Sequence, residues 1–498
     1  MPRTAKTWRN GRPMRKKMVG AAVLLVALLG LGYSAAAWYV GLQTQQHVQQ
    51  AHAAFSAALG VSAQLTQYER GLFHSSARSV VRIEPPEHGA TSSVLPTATA
   101  PQQQWFFGQG LRGQTIVLEH RIRHLPLLAA PHRAGWVAVR STPVLSPAGQ
   151  AALRPSLGDA PPYVLDAVLG YGGSVHWRLA GPAWQRPWED AQGAAQTLHM
   201  RPLHWEGERG PDGRSLRSAL QWGGMTLRNA QGVQLLHIEQ LHGRDDYQRA
   251  AGLQHSYLGQ SRYSLGQWQQ AGGWQLQGLA LAFGIQAQDG QWLRLPLQVQ
   301  LQRLQLPGDG PQARGEQPAG QPNNQPALSA LELKAAVEQL HLPSYEALGS
   351  WGWRWLLAQM GASTAWEQLP LAEQGQVRER LAALLAQGLR LKVERLAGQL
   401  PEGQWALSGQ ASAPQLHAID LGFLPHSLLA KLHASVQLEI AQPLALHWQG
   451  QENLELLVQQ GLVRQEAGQI RTVLQYQGGH SSINGHPFDL RGIEQLLQ

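Results

Sequence analysis

Leu279-Ala280-Leu281-Ala282-Phe283-Gly284-Ile285-Gln286, then Gln288-Asp289-Gly290, then Leu293-Arg294-Leu295-Pro296-Leu297-Gln298-Val299-Gln300-Leu301: the architecture is decided in this stretch. In both halves an apolar side chain alternates with a small or polar one. Successive residues of a strand point to opposite faces, so a period of two describes a strand with one apolar face and one wetted face. Asp289-Gly290 supplies the left-handed backbone that a tight hairpin requires. Together the two halves predict an antiparallel pair in a half-covered sheet. Pro296 has no N–H for a ladder, so its strand is expected at an edge or beside a bulge.

Working outward, similar alternation occurs at Ser76–Ile83, Thr115–Ile122, Gly173–Leu179, Leu198–Trp205, Leu216–Leu220 and Trp405–Ala411. One helical region interrupts it. After Ser344, Leu348, Trp351, Trp355 and Leu356 fall at helical spacing, and after Pro370 a second helix carries Val377, Leu381, Leu384 and Leu385 on one stripe, ending near Gly388. Alternation resumes at Leu389, Leu391, Val393 and Leu396. Trp351, Trp353 and Trp355 suit core packing, and also a membrane-surface or apolar-ligand contact.

The N-terminus sets an address. Arg3, Lys6, Arg9, Arg12, Arg15, Lys16 and Lys17 precede an uncharged apolar run from Met18 to Val40, and the next Lys or Arg is Arg70. At about 1.5 Å per residue, such a helix spans the roughly 30 Å of a hydrocarbon core. The basic flank, with Arg15, Lys16 and Lys17 nearest the run, predicts a cytoplasmic N-terminus. Trp38 and Tyr39 close the run with rings suited to the headgroup layer. A cleaved signal peptide with Ala35-Ala36-Ala37 as its cleavage site is the rival reading. Both place the body beyond the bilayer. Val48, His52, Phe55 and Leu59 extend the helical pattern past the run.

The division expected is a basic tail at 1–17, a membrane helix at 18–40, a β-rich region at 41–306, a linker at 307–327 and an α+β region at 328–498. The linker holds five prolines and four glycines, too little apolar surface to offset its ordering entropy. A second loop, rich in Thr, Ser, Ala and Gln, covers 84–103. The fold class is thus mainly β with some α: an N-terminal transmembrane helix, then a large twisted antiparallel β-sheet or groove with a small helical insertion.

The net charge of +8 misleads. Seven of the 40 Lys and Arg residues precede the apolar run, leaving 33 against 32 acids. A nearly neutral body without a basic face argues against nucleic acid as partner. With no cysteine, disulfides, thiolate metal sites and a lipid-modified N-terminus are excluded. There is no P-loop, no G-x-S-x-G elbow and no His-Glu-x-x-His. His120 and His124, four apart on a strand, lie about 13 Å from each other, too far to share an ion. Asp245-Asp246 beside Gly243-Arg244 reads as a solvated turn. No catalytic, metal or cofactor residue is expected.

Several short patterns, in order, resemble one bacterial family. They are Trp38-Tyr39-Val40-Gly41, Tyr68-Glu69-Arg70-Gly71-Leu72-Phe73, His124-Leu125-Pro126 (with Leu125 where the family pattern has glycine) and Ser482-Ile483-Asn484-Gly485-His486-Pro487. This is similar to the YdgA-like group of inner-membrane proteins with a domain of unknown function. The resemblance implies a single-pass inner-membrane anchor, a periplasmic β-rich body and no established chemistry. Tyr68, Arg70, Gly71, Phe73, Asn484 and Gly485 are its motif positions, and a structural role is expected for each. Gly71 allows a tight bend, and Asn484-Gly485 is a hairpin signal.

Three functions follow as expectations. The first is a non-enzymatic envelope protein whose sheet holds an apolar ligand such as a lipid. The second is an assembly factor binding an envelope protein at a sheet edge. The third is an enzyme whose site carries no recognisable motif.

Overall fold

A computed structural model describes residues 39–40, 62–82, 115–125, 135–189, 194–250, 253, 256–271, 273–305, 327–348, 371–413 and 430–488. The basic tail with Arg15, Lys16 and Lys17, Trp38, the 84–103 loop, the 307–326 segment and Trp351, Trp353 and Trp355 lie outside these residues. The run Met18–Val40 lies outside them too, except for the helical Tyr39 and Val40. Among the described residues no helix is long and apolar enough to cross a membrane. The chain separates into two compact units.

The smaller unit comprises residues up to 84, 113–144 and 165–173. Its strands are β1 (Ser62–Arg70), β2 (His74–Arg82), β3 (Thr115–His124), β4 (Val137–Val144) and β5 (Val164–Leu169). Each pairs antiparallel with the next. Alternation puts Ala77, Ile122 and Val137 on one buried face, where Leu65, Tyr68, Val139 and Leu169 pack against them. Val40 joins this cluster.

The larger unit is a long meander. The strands β10 (Ser215–Asn229), β11 (Gln234–Arg249), β12 (Tyr257–Gln270), β13 (Gln275–Gln288), β14 (Trp292–Gln305), β15 (Ala327–His341), β16 (Leu389–Leu400), β17 (Gly403–Ala413) and β18 (His433–Ala441) pair in sequence order, all antiparallel. β20 (Gln469–Gln477) adds to β18. The outer edge of β20 is shared by β19 (Arg464–Glu466) and β21 (His480–Ile483), and β22 (His486–Phe488) follows β21. At the opposite end, β10 pairs along its first half with β9 (Leu203–Arg209) and along its second with β8 (Ala195–Met200). β6 (Val175–Gly181) continues from β9, and β7 (Trp184–Glu189) from β8.

The hairpin at Asp289-Gly290 forms as its residues require, with φ of 47° and 72°. Its strands run to 14 residues each, longer than the apolar alternation alone marks. For Pro296 the second of the two expectations holds: β14 is central, with Pro296 opposite Ala336 of β15, and it carries a register irregularity between Leu293 and Leu295. Leu198–Trp205 is not one strand but the end of β8 and the start of β9. The break falls at Arg201-Pro202, where Arg201 N–H donates to Gly224 O (2.9 Å) and Gly223 N–H donates to Pro202 O (2.9 Å).

Helices lie at Leu342–Leu348 and Leu371–Leu385, the latter followed by Gly388 with φ of 88°. They bury Leu384 against Leu293 and Leu340, with Leu295, Val337, Tyr345 and Leu381 around them. Two further helices were not legible from apolar spacing. Pro147–Leu157 is capped by Ser146, whose Oγ accepts the Gly149 N–H (3.1 Å). Gln442–Gln459 is kinked at Gly450 and packs Ala445 and Leu454 on Ile470.

Candidate functional site

Register pairs across an antiparallel sheet share a face, so the face can be read strand by strand. One row runs Leu179, Trp205, Leu220, Gly243, Tyr263, Leu281, Val299, Leu333, Leu396, Leu407, Leu438. The row beside it runs Trp177, Gly207, Ser218, Asp245, Ser261, Phe283, Leu297, Ala335, Val393, Gly409, Val436, Leu474. The larger unit therefore carries an extended, mostly apolar face, and most of these side chains remain half-buried. Leu391, in the next row, is 43% exposed. The other face is polar: Gln298, Gln300 and Gln302 are exposed, and Arg294 bridges to Glu338 (3.5 Å) and Glu394 (2.6 Å). Lys334, helped by Arg395, holds the Glu332 carboxyl below its ordinary range on that face.

One polar island interrupts the apolar face. Asp245 Oδ2 accepts from Ser218 Oγ (2.6 Å), and Oδ1 accepts from Ser261 Oγ (2.6 Å) and Tyr263 OH (2.9 Å). Tyr247 OH meets Ser261 Oγ at 2.8 Å. Three strands build the group, each sending a hydroxyl or carboxylate to the same face. Gly243 makes room for it: a Cβ there would sit 2.6 Å from Tyr263 Cε1. Tyr263 stacks on Phe283 with ring centroids 6.1 Å apart, so the island abuts the apolar rows. Burial, then the Asp245 carboxylate, pushes the Tyr263 phenol up to about 12. Burial also raises Tyr247, and raises Tyr345 of the Leu342–Leu348 helix, where the charges of Glu346 and Tyr247 add to it. On the same face the buried indole N–H groups of Trp177 and Trp222 have no hydrogen-bond acceptor among the described residues.

Asp245-Asp246 is thus not a solvated turn. Both residues lie inside β11, and alternation sends them to opposite faces: Asp245 to the hydroxyl island, Asp246 to Arg217 (3.3 Å). They do not act as paired carboxylates. Sequence reasoning missed the island because its members come from three strands. The available signal was Ser218, Asp245 and Ser261 each replacing an apolar residue in a period-two run.

In the smaller unit two motif segments meet. The Phe73 carbonyl accepts the His124 N–H (2.8 Å), and Ser75 Oγ lies 2.8 Å from His124 Nε2. Tyr68 packs on the Ala77–Ile122–Val137 cluster, Arg70 ends β1 exposed, and a Cβ on Gly71 would lie 2.3 Å from the His74 carbonyl oxygen. His124 is 2% exposed, and burial, aided by His74, lowers its pKa. Leu125, in place of the glycine of the pattern, adopts φ of 50° and is 5% exposed. His120 does not join His124 at an ion; it sits between Ser141 Oγ and Ser79 Oγ, 2.8 Å from each. Among the described residues no three His, Asp or Glu side chains are grouped to hold a metal.

At the other end of the chain, Asn484 and Gly485 form the left-handed turn, with φ of 50° and 88°. The Asn484 side chain accepts from Val473 N–H (3.0 Å) and donates to Gly461 O (3.2 Å) and Leu462 O (2.9 Å). Tyr39, near the end of the apolar run, is 60% exposed.

No curated protein and no solved structure matches the chain. The family described as bacterial protein of unknown function (DUF945) matches residues 14–491, and the chain belongs to it.

Proposed function

We propose that this chain is a non-enzymatic envelope protein, anchored in the inner membrane by its N-terminal helix as the YdgA-like resemblance implies, that holds the acyl chain of a lipid on the apolar face of its larger unit in the periplasm. The observation that carries the reading is the face itself: apolar rows across β10–β18 stay half-buried, although large apolar surfaces are seldom left uncovered. The island gives such a ligand a polar end. A carboxylate ringed by hydroxyls, on a face that also carries two indole N–H groups, suits a headgroup carrying both a hydroxyl and a carbonyl oxygen, and disfavours a bare phosphate.

The test is mass spectrometry of the full chain extracted from membranes in mild detergent. Bound lipid should copurify with the native protein and fall in Leu297→Arg, which places a charge at the middle of the face. Equal lipid in both proteins, or none in the native protein, overturns the reading. A discrete protein adduct on crosslinking in membranes, without a lipid adduct, would favour the assembly-factor alternative.

A further inference from the structure

We propose that one end of the smaller unit rests on the bilayer surface, a contact that depends on the membrane-anchored reading above. The β1–β2 turn, the entry to β4 and the exit from β5 all lie at this end, because the strands alternate in direction. It carries Leu72 (44% exposed), Trp136 (40%) and Tyr171 (47%). The two rings meet edge to face at 5.1 Å, and the Trp136 indole N–H donates to the Tyr171 carbonyl oxygen at 3.1 Å. Exposed Trp and Tyr rings, apolar in body and polar at the tip, are the side chains that favour the headgroup layer.

Two independent observations identify the occupant as a bilayer. Val40, the last residue of the apolar run Met18–Val40, packs on the Ala77–Ile122–Val137 cluster of this same unit. The tether therefore leads directly onto the sheet whose end carries the exposed rings. Arg123 is exposed at that end, with His74 opposite it on β2, and its charge complements anionic headgroups. Glu69, at the same end, is engaged by Gln67 (2.6 Å) and Ser76 (3.2 Å). At the opposite end of the strands, Val144 is comparably exposed at 39% but has no aromatic neighbour of this kind among the described residues.

The cysteine-free chain makes the test direct, since each introduced thiol is unique. Full-length Leu72→Cys, Tyr171→Cys and Val144→Cys carry an environment-sensitive fluorophore and are reconstituted into vesicles of phosphatidylethanolamine and phosphatidylglycerol. A headgroup-level nitroxide lipid is then added. Labels at 72 and 171 should be quenched about twofold or more relative to 144. Equal quenching at all three sites, in protein that floats with the vesicles, overturns this inference and leaves the anchor intact. Protein that does not float overturns the anchor, and this contact with it.

Discussion

Asp245 shows what a single residue does when the sheet assembles around it. Burial, joined by its carboxylate, favours the protonated phenol of Tyr263, so the folded protein holds that proton to about 12, while an unfolded tyrosine releases it near 10. The unfolded state therefore binds fewer protons between those values, and stability falls as pH rises through that window. Denaturant titrations from pH 9 to 12 should show this fall, weakened in Tyr263→Phe. In Asp245→Asn the Tyr263 titration should move down toward its ordinary value, read by ultraviolet absorbance of the phenolate. His124 works with the opposite sign. Burial lowers its pKa, so the unfolded state takes up a proton first as pH drops below about 6.5, and stability is lost as the solution is acidified. Thermal melts between pH 5 and 8 should show that loss, and His124→Gln should flatten it. Leu125 combines a left-handed backbone with a buried side chain. Leu125→Ala should cost about 2–4 kcal/mol, and Leu125→Gly should cost less than the loss of side chain implies, because glycine recovers about 1 kcal/mol of backbone strain. Chemical denaturation of both variants decides the order. None of these partnerships is readable from neighbours in the chain: Ser218 and Ser261 lie 27 and 16 residues from Asp245, so a polar pair after Gly243 looks like a turn until register is known.

At the scale of elements, strands declared themselves wherever one face is apolar and the other polar, as in β13 and β14, because the period of two records the environment of each side chain. The helices Pro147–Leu157 and Gln442–Gln459 did not: each buries few residues, and proline or glycine interrupts its apolar stripe. Strand ends were lost where pairing extends past the apolar run into Gln and Arg residues that the ladder alone holds. The Asn484-Gly485 turn was legible from its dipeptide, yet its reach was not. Its side chain ties β20, β21 and the 461–462 loop together with three hydrogen bonds. Asn484→Ala should cost about 2–3 kcal/mol, near 1 kcal/mol for each lost bond, and Asn484→Gly should recover part of it through the turn. Gly243→Val should separate Tyr263 from Asp245, lowering the Tyr263 titration toward that of Asp245→Asn while leaving far-ultraviolet dichroism unchanged.

For the whole molecule, the mainly β, antiparallel character follows from the alternation, and the extended apolar face follows from register, which no single strand contains. The unbroken order from β10 to β18 has one more consequence. Each ribbon finds its partner in the segment synthesised immediately before it, so the loops closed during assembly are short apart from those holding the linker, the helical insertion and residues 414–432. Such a polypeptide can grow one rung at a time as it emerges from a narrow exit, N-terminal ribbons first, without waiting for its C-terminus. Pulse-labelled chains truncated after β14 should already resist protease through β13, whereas a topology with distant pairings would leave them fully digested.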